Sequence, residues 1–446
     1  MKNDRRTIFG WAMYDWANSA YATTTAAALL PAFFARSIVP EGGYPIFGRL
    51  YDGQTLWGYM ISFAAFLVFL ATPVLGAIAD FSAAKKRFLR VFAYGGALFA
   101  CLLCLVGTRD VILTMALFLI SQVGFVGANV FYDGFLPDLT TPDTIDRVSA
   151  KGYACGYIGG GLQFALSLGL VAGHEALGIS WTLGVKLSLA MVGVWWFTFS
   201  TFAFARLRET GQGQPLPRGY CDLPRPVAYA KVGFGRTWAT ARQLLGFKQL
   251  TLFLVAYMVY NDGVQTVINM ASIYATDTLK LQVEVIMGAM LVIQIVAFFG
   301  ALLFGALAGR VGAQRAVLVS LGLWSLVVIR AYFLPEGAAA QFLILGAFVG
   351  LVMGGTQALS RSLYGSMIPE AASAEFYGFY SVFSKFSAIW GPFIFGLVSD
   401  MTGSARDAIL SLVVLLILGA ALLACVNIDE ARASRLRWDF EDAKAG

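Results

Sequence analysis

The sequence predicts an all-α membrane protein with about twelve transmembrane helices. Of its 446 residues, 58% are hydrophobic and only 13% are charged, whereas a typical soluble domain carries roughly 25% charged residues. A chain with so few charged side chains cannot cover a water-facing surface, so lipid must solvate most of it. The mean hydropathy of +0.71 agrees with this interpretation.

Twelve apolar stretches are long enough to cross a bilayer as helices, which takes about 20 residues. Membrane-spanning strands are not expected, because only closed barrels satisfy their backbone hydrogen bonds in lipid and these stretches are too long and continuous. The stretches lie at residues 9–35, 56–79, 89–108, 111–136, 151–173, 182–205, 249–275, 284–308, 315–334, 339–364, 375–399 and 407–426.

Basic residues predict the orientation of these helices. If the N-terminus is cytoplasmic, 23 lysines and arginines fall on the cytoplasmic side and 7 on the opposite side, and such an excess is typical of cytoplasmic loops. We therefore expect an integral protein of the bacterial inner membrane, in contact with the lipid bilayer, with both termini in the cytoplasm. This topology explains the net charge of +6 without a nucleic-acid partner. The length of the first apolar stretch argues against a cleavable signal peptide.

A polar, proline-rich stretch divides the chain into two parts. The segment QGQPLPRGYCDLPRP holds four prolines, which is too many for a simple helix. A later part, near residues 227–247, could form a short amphipathic helix on the membrane surface. The predicted domains are an N-terminal six-helix half at 1–205, a cytoplasmic linker at 206–248, a C-terminal six-helix half at 249–427 and a cytoplasmic tail at 428–446.

Short matches indicate that the two halves arose by duplication. A shift of 247 residues aligns Asp15 with Asp262 and Asn18 with Gln265. Two parallel six-helix halves, related by an axis along the membrane normal, are a known plan for membrane transport proteins. Further matches in the same order are GAIAD with GALAG, at 76–80 and 305–309, and FLPD with MIPE, at 135–138 and 367–370.

The loop GAIADFSAAKKR resembles the signature loop of the major facilitator superfamily. Gly76, Asp80, Lys85 and Lys86 match its glycine, acid and basic pair. The resemblance implies a conformational latch, in which small residues let helices approach and the acid meets a helix N-terminus or a basic partner in one state only. A charged loop that only sets topology is the alternative.

The second half carries an incomplete copy of this motif in GALAGRVGAQR. Gly305 and Arg310 match the pattern, but Gly309 replaces the acid. Gly312 and Arg315 also match, and the first loop itself departs from the signature at Phe81 and Ala83, where a basic residue and a glycine are expected.

Two longer motifs resemble the vacuole-effluxer family within the major facilitator superfamily. They are GWAMYDWANSAY at 10–21 and GGTQALSRSLYGSMIPE at 354–370. GYACGYIGGG at 152–161 is similar to the fifth helix of that family, and the resemblance covers most of the chain outside the linker. It implies a major facilitator fold with twelve transmembrane helices in two six-helix pseudo-repeats, and a secondary transporter whose best-known activity is amino-acid efflux.

Ionisable and amide side chains recur inside the apolar stretches, where a charged group costs roughly 2.5–3.5 kcal/mol on insertion scales. Spacings of three, four or seven residues place them on one face of each helix. Because lipid exposure of five such stripes would be costly, we expect them to line one shared aqueous cavity. The stripes are Asp15 with Asn18, Gln122 with Asn129 and Asp133, Asp262 with Gln265 and Asn269, Gln357 with Arg361, and Ser381 with Lys385.

These stripes supply the candidate binding and coupling residues. Arg361 could hold a substrate carboxylate with two parallel hydrogen bonds, and Asp15 or Asp262 could hold an amino group or a coupling proton. The alternative is that these charges form internal salt bridges that tie the halves together, or a gate. The full set of candidates is Asp15, Asn18, Asn129, Asp262, Gln265, Gln357, Arg361 and Lys385.

Other function classes lack support. The sequence contains no GxxxxGK(S/T) motif, which would indicate ATP-driven pumping. Its single histidine, His174, leaves no metal-ligand cluster. We expect a monomer without enzymatic activity, cofactor or metal, which exports a small-molecule substrate, an amino acid or related zwitterion, by alternating access with protons as the candidate coupling ion. An exporter of amphipathic drugs and a non-transporting sensor or scaffold stay open as alternatives.

Overall fold

The computed structural model describes residues 2–209 and 213–438. Residues 210–212 of the predicted linker and residues 439–446 of the predicted tail lie outside this range. Within the described range the chain is nearly all helical, and this confirms the predicted structural class.

Six long helices make up the first part of the chain. Short polar side chains begin several of them, because a carboxylate can accept backbone N–H groups that have no partner in the first turn. Asp4 accepts from the N–H of Thr7, and Asp52 accepts from the N–H of Thr55. The helices are α1 (Arg5–Ala20), α2 (Gly53–Phe81), α3 (Lys85–Leu102), α4 (Val111–Gly134), α5 (Ile145–Ala172) and α6 (Trp181–Arg206).

The remaining helices follow the first part of the linker. They are α7 (Arg225–Leu244), α8 (Lys248–Ile273), α9 (Val283–Val311), α10 (Ala313–Tyr332), α11 (Ala339–Met367), α12 (Ser373–Phe386), α13 (Trp390–Thr402), α14 (Ala405–Ala424) and α15 (Ile428–Ser434). Shorter helical turns lie at Leu30–Phe33, Leu103–Leu105, Leu136–Leu139, Arg218–Tyr220, Glu370–Ala372 and Arg435–Arg437. The helix predicted near 227–247 is present as α7.

The helices are long and apolar enough to make this an integral membrane protein. In the part of the chain that the structure describes, 10 helices could cross a membrane, or 11 if α7 and the bent continuation Lys248–Thr278 count as one span. The helical stretch from Arg5 to Ile38 is not among them, although its length is that of a span. The predicted number of twelve is consistent with this set.

Three stretches are π-helical rather than α-helical. They are Tyr21–Leu29 and Phe34–Ile38, which continue α1, and Tyr274–Thr278, which continues α8. A π-helix adds a residue per turn and is found frequently at functional sites. Hydropathy does not reveal this change, because it alters the spacing of the backbone hydrogen bonds and not the apolar character of the residues.

Two local features modify the predicted helical pattern. Residues 387–389 interrupt the eleventh span between α12 and α13, directly before the Gly391-Pro392 pair, and such a pair permits a bend. A short antiparallel hairpin, β1 (Tyr44–Ile46) and β2 (Arg49–Tyr51), stands between α1 and α2. The hairpin departs from the purely helical prediction and lies in an exposed loop.

Corresponding backbone contacts recur in the two parts of the chain. The N–H of Arg109 donates to the carbonyl of Ile38 at 2.9 Å, and the N–H of Gly337 donates to the carbonyl of Leu279 at 2.8 Å. The two donors have φ angles of +74° and +73°. Each bond joins the loop after the third span of its half to the end of the first span, and this match supports a duplication.

Two buried apolar clusters follow the two parts of the chain. One cluster is drawn almost entirely from residues 8–207 and the other from residues 244–438. Helix α2 packs on α12, and α5 packs on α9, between the two clusters. Helix α5 also packs on α11, and α4 on α12. Separate cores joined along a few helix pairs suit a motion in which one half rocks against the other.

The two ends of the helical bundle differ in how the halves meet. We call the end that carries the first residues of the chain the terminal face, where Lys2 forms an ion pair with Glu370 at 2.6 Å. The hydrogen bonds that join the halves of the described chain lie on this face or at mid-depth, as between Gln294 and Thr23. The structure is therefore closed at the terminal face.

Candidate substrate-binding site and gate

A polar cavity of about 190 Å³ lies between the two halves. Its walls come from α4, α5, α8, α11 and α12, which contribute amide, hydroxyl, carboxylate and aromatic side chains. Four of the residues proposed from the sequence line it: Asn129, Gln265, Gln357 and Lys385. The structure therefore places around one cavity four residues, from four different helices, that were proposed from the spacing within each helix.

Lys385 places its amino group in the wall of this cavity. Its side chain keeps part of its surface accessible, and within residues 2–209 and 213–438 its ammonium group forms no ion pair. Ser381 and Ser384 line the cavity on the same helix. A lone ammonium at bilayer depth is costly, so this position favours a ligand of opposite charge.

Four tyrosines form much of the remaining wall, and the sequence interpretation missed them. Tyr257 and Tyr380 stack with ring centroids 4.4 Å apart, and Tyr153 and Tyr377 also line the cavity. A signal was available, because Tyr377 precedes Ser381 by four residues and therefore extends the polar stripe of α12. The sequence interpretation considered mainly ionisable and amide side chains, so it did not include the tyrosines on the same faces.

Arg361 does not line the cavity in this conformation. Only 2% of its side-chain surface is exposed, and its guanidinium group forms ion pairs with Asp133 at 3.1 Å and with Asp15 at 3.3 Å. It also donates to the hydroxyl and carbonyl oxygens of Ser149, at 3.0 and 2.9 Å. Tyr132 donates its hydroxyl to Asp15 at 2.8 Å. We call Trp11, Asp15, Tyr132, Asp133, Ser149 and Arg361 the Arg361 cluster.

Aromatic rings complete the surroundings of this guanidinium. Its central carbon lies 4.9 Å from the ring centroid of Trp11 and 4.2 Å from that of Tyr153, within the range of cation–π attraction. Gly152 permits the approach, since a Cβ at that position would lie 2.9 Å from Nη2 of Arg361. With its donors engaged, Arg361 joins α11 to three helices of the other half, which favours the internal-salt-bridge alternative for this residue.

Asp262 is also outside the cavity lining. It is 2% exposed, and one of its carboxylate oxygens accepts the N–H of Gly391 at 2.9 Å, in the first turn of α13. A carboxylate satisfies the free N–H groups and the positive end of a helix in this position. The neighbouring Asn261 donates to Ser387 in the break, so α8 holds the interrupted span in place.

Amide side chains connect the helices around the cavity. Asn18, a candidate binding residue on α1, donates to Asn129. Asn18 therefore contacts a residue of the cavity wall without lining the cavity itself. Tyr157 donates its hydroxyl to Gln357 at 2.7 Å, across the interface between the halves. The Asn18–Asn129 contact lies within the first half, whereas the Tyr157–Gln357 contact would have to change if the halves move apart.

The first loop motif forms a set of contacts between the halves on the terminal face. Asp80 accepts the N–H of Glu375 at 2.8 Å, in the first turn of α12, and lies 3.5 Å from the ammonium group of Lys85. Lys85 also pairs with Asp138 at 2.6 Å and donates to Ser373 at 2.8 Å. This geometry is the one that a latch requires, with the acid at a helix N-terminus and beside a basic partner.

Lys86 binds the linker rather than the other half. Its ammonium group donates to the carbonyl of Leu207 at 2.6 Å, and its backbone N–H donates to Glu209 at 2.9 Å. Burial raises the pKa of the Glu209 carboxyl above its usual value. The two basic residues of the motif therefore serve different contacts, one at the gate and one at the linker.

The second loop motif is less engaged. A Cβ at Gly305 would lie 2.5 Å from the Cβ of Ala150, so this glycine allows α9 to approach α5. Arg310 is exposed, and in the described part of the chain no ion pair includes it. The missing acid at Gly309 agrees with this difference between the two loops.

Gly76 supplies a test of the latch, because a Cβ there would lie 2.7 Å from the carbonyl carbon of Ala374. We expect Gly76→Val to weaken the closed terminal face, since overpacking costs about 1–3 kcal/mol. In a cysteine-free background, a cysteine at the buried Ser362 should then react with a maleimide about tenfold faster. Gly309→Val is the matched control, because nothing lies within 4 Å of that position, and equal rates in both variants would contradict the latch.

The fold is that of the major facilitator superfamily. The solved structure of the proton:xylose symporter XylE bound to 6-bromo-6-deoxy-D-glucose is similar with a TM-score of 0.68, and the match covers 96% of this chain and 97% of that one. At 12% sequence identity the likeness shows the fold alone, and it confirms the predicted fold class.

Sequence relatives narrow this class to a family. A family model described as vacuole effluxer Atg22 like matches residues 3–435. The chain is 32% identical over 428 residues to the MFS-type transporter YxiO of Bacillus subtilis, and this match covers 96% of each protein. It is 30% identical over 311 residues to Autophagy-related protein 22-1 of Aspergillus niger, covering 66% of this chain and 49% of that protein. The chain belongs to the Atg22-like vacuole effluxer family, as predicted, and is a transporter rather than an enzyme.

Proposed function

We propose that the protein is a secondary transporter for a small solute that carries a carboxylate, with amino acids and related zwitterions as the best fit. The unpaired ammonium group of Lys385 in the central cavity carries this proposal. A ligand of opposite charge would offset the cost of keeping that group at bilayer depth. Asn129, Gln265 and Gln357 offer neutral donors and acceptors around the same space.

The size of the cavity supports a small solute over a drug-sized one. Its volume of about 190 Å³ is below the roughly 300–1,000 Å³ of typical pockets for drug-sized ligands. The tyrosine walls suit the apolar part of an amino acid, and the side-chain oxygens of Asn129, Gln265 and Gln357 can accept from an amino group. These features favour the zwitterion over the amphipathic compounds of the alternative hypothesis.

Transport by alternating access would require the terminal face to open. We propose that rocking of the halves separates the Arg361 cluster and the Asp80 latch, and so exposes the cavity to the other side. Asp262 is the best candidate for a coupling proton, because within the described residues this buried carboxylate forms no ion pair. Protonation there would weaken its hold on the first turn of α13.

We further propose that the terminal face is cytoplasmic in a bacterial inner membrane. The excess of basic residues on that side supports this orientation, with both termini in the cytoplasm. Release from the cavity to the opposite side would then be export. A monomer is sufficient for this function, because one chain forms the whole cavity.

A thermal-stability screen on the purified protein tests the proposed substrate class. We expect small amino acids or related zwitterions to raise the melting temperature, since a ligand at a hundred times its Kd adds about 2.7 kcal/mol to the stability of the folded state. Esters and amides of the same compounds lack the carboxylate and serve as matched controls that should have no effect. Stabilisation by large apolar compounds alone would contradict the proposal and favour the drug-exporter alternative.

A further inference from the structure

Helix α7 of the linker lies across the direction of the spans. The axis of α7 makes an angle of 94° with that of the segment Lys248–Thr278, which follows after a break of a few residues. If that segment crosses the membrane as the first span of the second half, an angle of 94° places α7 parallel to the membrane plane. Its position at the start of α8 puts it at the level where the terminal face meets the lipid.

One side of α7 packs on the transporter. Buried residues recur every four positions along α7, at Ala228, Val232, Arg236, Thr240 and Leu244, and the helix packs against α2. A Cβ at Gly233 would lie 2.5 Å from Cγ1 of Ile78, so the two helices are in direct contact. This face fixes the rotation of α7 and therefore decides which residues point away from the protein.

The opposite side of α7 exposes large apolar side chains. Phe234 is 64% exposed, Trp238 is 63% exposed and Val227 is 45% exposed, and Leu245, directly after the end of the helix, is 74% exposed. Spacings of seven, four and seven residues align these four side chains along one face. In water this stripe would be a continuous apolar surface of the kind that marks a membrane or protein contact.

The charges on this helix are of one sign. Residues 225–248 contain no aspartate or glutamate, while Lys231 and Arg242 lie exposed among the apolar side chains. The guanidinium carbon of Arg242 lies 5.0 Å from the ring centroid of Trp238. Aromatic and apolar residues flanked by basic residues are the composition of helices that lie in the headgroup layer of anionic membranes.

We propose that the outer face of α7, formed by Val227, Lys231, Phe234, Trp238, Arg242 and Leu245, binds the anionic headgroup layer of the membrane at the terminal face. The apolar stripe enters the boundary between headgroups and acyl chains, and the two basic side chains contact lipid phosphates. This inference is independent of the identity of the solute, because it rests on the orientation and surface of the linker helix alone.

The inner face of α7 contacts the residues that close the terminal face, so lipid binding to α7 is linked to this closure. On the inner face, Arg236 of α7 pairs with Glu375 at 3.3 Å, and both side chains are buried. Glu375 is the residue whose backbone N–H donates to Asp80 of the latch. A helix held in the headgroup layer therefore braces the first turn of α12 in the closed state.

The depth of Trp238 tests the proposal. The Trp238 component is the difference in fluorescence between the unmodified protein and the Trp238→Phe variant. In vesicles of phosphatidylcholine and phosphatidylglycerol that carry bromine near the headgroup, at least half of this component should be quenched. The same component should resist aqueous iodide. Quenching by iodide without quenching by brominated lipid would overturn the proposal, and so would protection from both, which would mean that another protein covers the helix.

Trp438→Phe is the matched control for this measurement. Trp438 is 9% exposed and packs on Phe247 and Phe376 within the protein. The fluorescence that this variant removes should therefore respond to neither quencher. It reports whether quenching at Trp238 reflects contact with lipid rather than a general effect of bromine on the sample.

The preference for anionic lipid is tested separately with bromine on one lipid at a time. Brominated phosphatidylglycerol should quench the Trp238 component more than brominated phosphatidylcholine at equal content, because each basic side chain near the surface strengthens binding to anionic lipid about fivefold. The double variant Lys231→Gln/Arg242→Gln should remove this preference. The control variant Arg310→Gln/Arg315→Gln makes the same charge change elsewhere and should preserve the preference for phosphatidylglycerol. Equal loss of the preference in both double variants would overturn the role of lipid charge. A lack of preference in the unmodified protein would overturn it too.

Discussion

Replacing Lys385 with glutamine should lower transport of the solute about a hundredfold, because removal of one partner from a buried charged contact costs about 2–5 kcal/mol. The expected loss is in substrate affinity and not in folding. Lys385 has no ion-pair partner in the described chain, so its removal leaves no protein charge uncompensated. The melting temperature without ligand should therefore stay the same or rise.

The measurement compares counterflow of a labelled amino acid in proteoliposomes with ligand-induced thermal stabilisation. Lys280→Gln makes the same chemical change at an exposed lysine near the opposite face, and it should transport normally. Lys385→Arg keeps the charge and should retain part of the activity, although the larger fork changes the geometry. Full transport by Lys385→Gln would show that the carboxylate of the solute binds elsewhere.

Single-helix patterns identified the cavity residues better than they identified the partners of those residues. Asn129, Gln265, Gln357 and Lys385 all line the cavity, because helical spacing decides which residues share a face. The same spacing says nothing about which helix lies opposite. Arg361 meets Asp15 and Asp133, which are 346 and 228 residues away along the chain, and only the tertiary packing brings these side chains together.

Asp262 illustrates a second limit of the sequence analysis. Its neighbour Asn261 lines the cavity, whereas Asp262 turns toward the first turn of α13. Adjacent residues on a helix differ by about 100° in direction, so a stripe assigned from three positions cannot separate a lining residue from one beside it. The π-helical continuation of α8 was equally hidden, since hydropathy does not depend on the hydrogen-bond register.

The charges at membrane depth fall into two groups with different consequences. Arg361, Asp15 and Asp133 satisfy one another and stabilise one arrangement of the halves. Lys385 forms no ion pair within the described part of the chain and is available to a ligand. The first group stabilises the state that is closed at the terminal face, and Lys385 gives specificity for the solute. Substitutions in the first group should therefore change labelling at the terminal face, whereas substitutions of Lys385 should change solute binding.

Arg361→Gln is therefore expected to open the terminal face. Removing one partner of a buried ion pair costs about 3–5 kcal/mol, and here it leaves two carboxylates, Asp15 and Asp133, without their cation. The closed state bears this cost, because only there are the three groups buried together. A cysteine at Ser362 should react with maleimide at least a hundredfold faster than in the parent protein, and transport should fall because the closed state is rarely reached.

A compensating variant separates this gate from a role in substrate binding. In Arg361→Met/Asp15→Asn/Asp133→Asn all three charges are absent, and neutral side chains of similar volume often replace a buried ion network at little cost. Slow labelling at Ser362 should return in this variant, while labelling as fast as in Arg361→Gln would contradict the ion network as the closing contact. If Arg361 instead bound the carboxylate of the solute, Arg361→Gln would abolish ligand-induced stabilisation and leave the labelling rate unchanged.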